Sequence, residues 1–121
     1  MENHQEEYHF VQPVTPEPCT QNMDWTTFKD YFQKANEELD EFKEVALLHF
    51  TLKDDVRDAK TYFETFRNDE EVQHLMHRMA EEAADVCTVL ASLLEACGIG
   101  YELRMEEQAH VNRHNHERGR N

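Results

Sequence analysis

From Asp69 to Cys97, apolar residues recur every three or four positions, at Val72, Leu75, Met76, Met79, Ala83, Val86, Leu90, Leu93 and Leu94, and Gly98 follows. That spacing is one buried face of a long helix, and the glycine is its stop. A second stripe, Phe28, Tyr31, Phe32, Ala35, Leu39, Phe42 and Ala46, predicts a helix of about 25 residues from Asp24 to near Phe50. Asp24 and Thr26 are its candidate caps.

Between the two, Lys53–Arg67 places Val56, Ala59, Tyr62, Phe63 and Phe66 at helical spacing, and Asn68 with Glu71 has the form of a capping box. After Gly98-Ile99-Gly100, a polar helix is expected from Tyr101 to Arg118, its apolar edge reduced to Leu103, Ala109 and Val111. No segment alternates with period two. The fold class is therefore all-α, a bundle of about four helices.

Residues 1–23 hold Pro13, Pro16 and Pro18, several acids and no Lys or Arg, the composition of a flexible or extended arm on which Tyr8, Phe10 and Val11 could dock. Residues 24–121 form the helical domain. A chain of 121 residues buries only a modest core, so the bundle is expected to be completed by oligomerisation, as a homodimer or homotetramer.

With 26 acidic against 12 basic side chains and a formal charge of −14, the chain lacks the clustered Lys and Arg that tracking nucleic acid requires. A cation or a basic partner is the expected counterpart. Cys19, Cys87 and Cys97 have no metal-knuckle spacing and read as reduced thiols of a cytoplasmic protein. No leader pattern opens the chain and no apolar run approaches the roughly 18 residues of a membrane span. There is neither an internal repeat nor a nucleotide-binding glycine loop, the only glycines being Gly98, Gly100 and Gly119.

The stretch Asn36–Phe42 (NEELDEF) packs Glu37, Glu38, Asp40 and Glu41 into five positions, and like charges at i,i+3 and i,i+4 weaken a helix. At about 100° per residue, Glu38 and Glu41 fall on one border of the first stripe, while Glu82 and Asp85, from EEAAD, fall on the matching border of the second. One such pair alone, like Glu37, Asp40 and Glu81, reads as a solvated face. Two pairs on equivalent borders point to convergence, which hard divalent cations with oxygen ligands would relieve.

These residues resemble the motifs of the MazG-like members of the all-α nucleoside triphosphate pyrophosphohydrolases: EExxE, here Glu37 to Glu41, and ExxD, here Glu82 to Asp85. Asn115 and Arg118 resemble the Asn and basic residue that follow on the next helix, with Arg where Lys is more usual. The resemblance spans about residues 28–118. The stretch from Glu41 to Glu82 is long for the family, the extra length lying at residues 53–67.

The resemblance implies Mg²⁺-dependent cleavage of a nucleoside or deoxynucleoside triphosphate between its α and β phosphorus atoms, giving a monophosphate and pyrophosphate, with Mn²⁺ as a substitute metal. It implies Glu38, Glu41, Glu82 and Asp85 as metal ligands, with Glu38 or Glu41 doubling as the catalytic base. Arg118 and Arg113 are the candidates to meet the phosphates, and Asn115 or Asn112 to hydrogen-bond sugar or phosphate. Trp25, Phe28 and Phe32 are candidates for a flat surface against the base, although core packing would claim at least two of them.

A rival from another class is an acidic helical protein that engages a basic partner surface without catalysis. A third reading binds nucleotide without cleaving it. His74 with His77 and His110 with His114 have helical spacing for a transition metal, but without a cysteine or carboxylate at matching position they read as polar residues of the surface.

Overall fold

The computed structural model describes residues 14–18 and 27–119. Residues 14–18 carry no regular secondary structure, and the expectations for Tyr8, Phe10, Val11, Cys19, Asp24, Trp25 and Thr26 fall outside the described residues. The chain is all-helical: α1 (Phe28–Ala46), α2 (Val56–Thr65), α3 (Glu70–Ala96) and α4 (Tyr101–Glu117), with no strand among the described residues. None of these helices is long and apolar enough to cross a membrane.

The cap of α1 is Thr27. Its hydroxyl accepts from the Asp30 N–H at 3.3 Å while the Asp30 carboxylate accepts from the Thr27 N–H at 3.2 Å, a reciprocal capping box. At the other end the Leu47 N–H donates to the Lys43 carbonyl and the Leu48 N–H to the Val45 carbonyl, so α1 is shorter than the 24–50 that its stripe suggests. The cap of α3 is Asp69 rather than Asn68, its carboxylate accepting from the Glu71 and Val72 N–H groups. Its far end is the expected one. Gly98 adopts φ 83°, its N–H reaches the Glu95 carbonyl and the Ile99 N–H the Leu94 carbonyl, both at 2.9 Å, which is a Schellman turn.

Packing between helices is concentrated in α1 against α3. The two run antiparallel: Thr27 and Phe28 lie beside Leu93 and Cys97, and Glu41 and Val45 beside Arg78 and Glu82. Tyr31 and Val45 from α1 and Val72, Leu75, Val89 and Ala91 from α3 are buried, each valine or leucine among them being worth about 1.5–3 kcal/mol.

On both helices the seam is rotated away from the centre of the apolar stripe. Tyr31, Glu38 and Val45, seven residues apart, are the buried positions of α1, whereas Phe28, Phe32 and Leu39 stay 59%, 54% and 39% exposed. On α3, Met76, Leu90 and Leu94 stay 42%, 47% and 36% exposed. An apolar stripe wider than about 100° cannot be covered by one neighbouring helix. Each of these helices therefore keeps an unspent apolar strip.

Two connections complete the chain. After α1 the backbone turns so that His49 and Phe50 meet Tyr62, with Phe50 edge-on to Tyr62 and to Phe63 at 5.5 Å, Phe66 packed on Tyr62, and Tyr62 Oη 3.4 Å from His49 Nδ1. Beyond Gly100, α4 is tied to the end of α3 by Arg104, which donates to Glu95 at 2.9 Å and to the Ile99 carbonyl at 3.1 Å. Its apolar residues Leu103 and Val111 remain 47% and 45% exposed.

Candidate metal centre

Glu38 projects from the middle of α1 into the seam, and Glu82 and Asp85, one turn apart on α3, meet it there. One carboxylate oxygen from each lies within 4.8 Å of the others. Glu38 is buried at 9% exposure, Glu82 is half-buried and Asp85 is exposed, so the trio forms a graded opening from core to solvent. Contrary to the sequence reading, Glu38 is a seam residue and not a border one. Glu41 stays at the rim, where it lines a groove with Glu82, Glu44, Val45, Leu48 and Arg78.

The electrostatics are those of crowded anions. Burial, then the charges of Glu41, Asp85, Glu38 and Glu81, raise the Glu82 carboxyl above its ordinary range. Burial, then Glu38 and Glu81, raise Asp85, with Lys34 opposing. Among the described residues Lys34 is the cation ion-paired with the cluster, its ammonium 3.1 Å from Glu38 and 3.9 Å from Glu37. The hydrogen bond to Glu38 raises the Lys34 pKa against the effect of desolvation.

Glu82 Oε1 is buried and has no hydrogen-bond partner among the described residues. Such an atom calls for a missing partner. Three converging carboxylates with one orphaned oxygen fit a hard divalent cation, and a donor set of oxygen alone suits Mg²⁺, Ca²⁺ and Mn²⁺ alike. Lys34 was missed by the sequence reading, although its i,i+4 relation to Glu38 is legible.

The other expected site residues lie elsewhere. Phe28 and Phe32 stack on one another, ring centroids 6.0 Å apart, and Phe32 lines a separate groove with Lys29, Asn36 and Asp40. On α4, Arg118 donates to Asn115 at 3.1 Å and Asn112 accepts from Gln108 at 3.0 Å. Arg113 is exposed. Neither groove running past Arg78 is lined by an α4 residue. Trp25 lies outside the described residues. His110 and His114 face each other as parallel rings, centroids 6.2 Å apart.

Comparisons with protein-family models, curated proteins and solved structures return no match for this chain.

Proposed function

We propose that this protein is a Mg²⁺-dependent nucleoside triphosphate pyrophosphohydrolase. The observation that carries the reading is the convergence of Glu38, Glu82 and Asp85, with a buried, unpartnered oxygen on Glu82. Holding three carboxylates together costs stability in a chain whose net charge is already −14, and a bound cation would offset that cost.

Glu38, Glu82 and Asp85 would hold the ion, with Glu41 completing the set from the rim. A bound magnesium would neutralise triphosphate charge and lower the pKa of a coordinated water. Glu41, exposed and outside the trio, is better placed than the ion-paired Glu38 to take a proton from the attacking water. Water oxygen then bonds to the α phosphorus, the bridge to the β phosphate breaks, and pyrophosphate leaves.

The apolar strips of α1 and α3 support assembly through a second copy, the natural route by which a thin two-helix pair acquires a full core. In that arrangement Asn112, Asn115 and Arg118 of α4 would act from a partner subunit.

The test is product analysis over a panel of ribo- and deoxyribonucleoside triphosphates with and without Mg²⁺, scoring pyrophosphate apart from orthophosphate. Monophosphate plus pyrophosphate, lost in Glu82→Gln and Asp85→Asn, is the expected result. Absence of both turnover and Mg²⁺ binding would leave the acidic partner-binding reading in its place.

A further inference from the structure

Arg78 lies one helical turn before Glu82 on α3 and lines two adjoining grooves. The first, of about 210 Å³, it shares with Glu41, Glu44, Leu48 and Glu82. The second, of about 390 Å³, runs from Arg78 past Leu48, His49 and His74 to Glu70 and Glu71. His74, Arg78 and Glu82 are each four residues apart, so they stand in a row on one face of α3, with neighbouring side chains about 5–6 Å apart at their Cβ atoms.

Arg57, Arg104 and Lys34 each pair with a carboxylate, and Arg118 donates to Asn115. Arg78, like Arg67 and Arg113, forms no ion pair among the described residues, but of the Lys and Arg side chains it alone lines these two grooves. An uncommitted guanidinium presents five donors in a planar fork that matches phosphate oxygens. Its neighbours along the second groove, His49 and His74, add ring nitrogens, whereas Glu70 and Glu71 repel anions from the far end. With Glu41, Glu44 and Glu82 lining the first groove, Arg78 is the one fixed positive charge where the two grooves meet, and a polyphosphate there needs the metal to offset the carboxylates.

We infer that Arg78 binds a phosphate group of the substrate's polyphosphate chain, a cationic contact made within the same chain and additional to the one Arg118 would make from a partner subunit. The inference rests on the reading of Glu38, Glu82 and Asp85 as a metal-assisted triphosphate site. It identifies the ligand as a linear polyphosphate bound at once by metal on one side and guanidinium on the other.

The experiment is calorimetric titration of inorganic tripolyphosphate, with Mg²⁺ and without, into the full chain and into Arg78→Gln and Arg78→Lys, alongside Mn²⁺ binding and triphosphate turnover. Arg78 is exposed, and circular dichroism verifies that both variants keep the helical fold. Arg78→Gln should weaken tripolyphosphate at least tenfold and raise KM, Arg78→Lys should recover part of the loss, and Mn²⁺ affinity should stay unchanged. Wild-type tripolyphosphate affinity and KM in Arg78→Gln would overturn the inference while leaving the metal reading intact. Should the wild type bind no Mn²⁺ and cleave no nucleotide, the metal reading falls. Metal-free tripolyphosphate binding that Arg78→Gln abolishes would then still uphold the anion site, and its absence would overturn that too.

Discussion

Lys34 Nζ sits 3.1 Å from Glu38 Oε1, one turn away on the same helix, and holds an ammonium over the most buried carboxylate of the cluster. With the Lys34 side chain 34% exposed and that of Glu38 only 12%, the contact is a charge-assisted hydrogen bond worth about 1 kcal/mol. Lys34→Gln is expected to lower the melting temperature in chelator, and divalent cation should restore more stability to the variant than to the wild type. Thermal melts with and without Mg²⁺ measure both halves.

The raised carboxyls of Glu82 and Asp85 fix the sign of a pH effect. A carboxyl whose folded pKa lies above its unfolded one binds protons more tightly in the native state. Stability therefore declines as pH rises from the ordinary carboxylate range through the raised values. In chelator, the protein should melt higher when the pH falls from neutral toward that range. Saturating Mg²⁺ should flatten or reverse the trend, since the cation competes with the protons. A metal-free melting temperature that falls on mild acidification would contradict the assigned shifts.

Glu82→Gln separates stability from activity. Neutralising a repelled carboxylate while keeping its shape should raise the metal-free melting temperature, yet lower triphosphate turnover by about 100-fold or more and weaken Mn²⁺ binding. Loss of stability together with loss of activity would indicate a packing role instead.

Leu90 is 47% exposed on the open side of α3. Leu90→Glu leaves the α1–α3 seam untouched. If a second copy covers that strip, light scattering should report a dimer or tetramer for the wild type and a monomer for the variant, with helicity by circular dichroism nearly unchanged.

Gly98 occupies the left-handed region at φ 83°. A Cβ there would meet no neighbour within 4 Å, so Gly98→Ala isolates the backbone cost, about 1–2 kcal/mol. Chemical denaturation should read a destabilisation of that size.

The long helix, its glycine stop, the polar last helix and the absence of strands could all be read from periodicity, because helical spacing and a left-handed cap are local properties. What local pattern could not decide was which part of a wide apolar stripe meets the neighbouring helix, and Glu38 consequently lies in the seam where a border position was expected. Glu82 and Asp85 were locatable because a three-residue step fixes their common side of α3. Arg78 went unnoticed: its value depends on which side chains fail to pair with it, a property of the folded chain alone. The cap of α3 was misplaced by one residue for a simpler reason, since Asn68 and Asp69 are both competent caps and only the turn geometry chooses between them.

The aromatic knot of His49, Phe50, Tyr62, Phe63 and Phe66 gathers much of the connection between α1 and α3 onto itself, and α2 makes no extensive packing against another helix. Closing a longer connection costs little, about 0.6 kcal/mol for each doubling of length. Residues 53–67 thus form a module of their own in a permissive joint between α1 and α3. The carboxylate cluster sits on the two helices that flank this joint, so its length and composition are free to diverge, or to be redesigned, while the site stays in register.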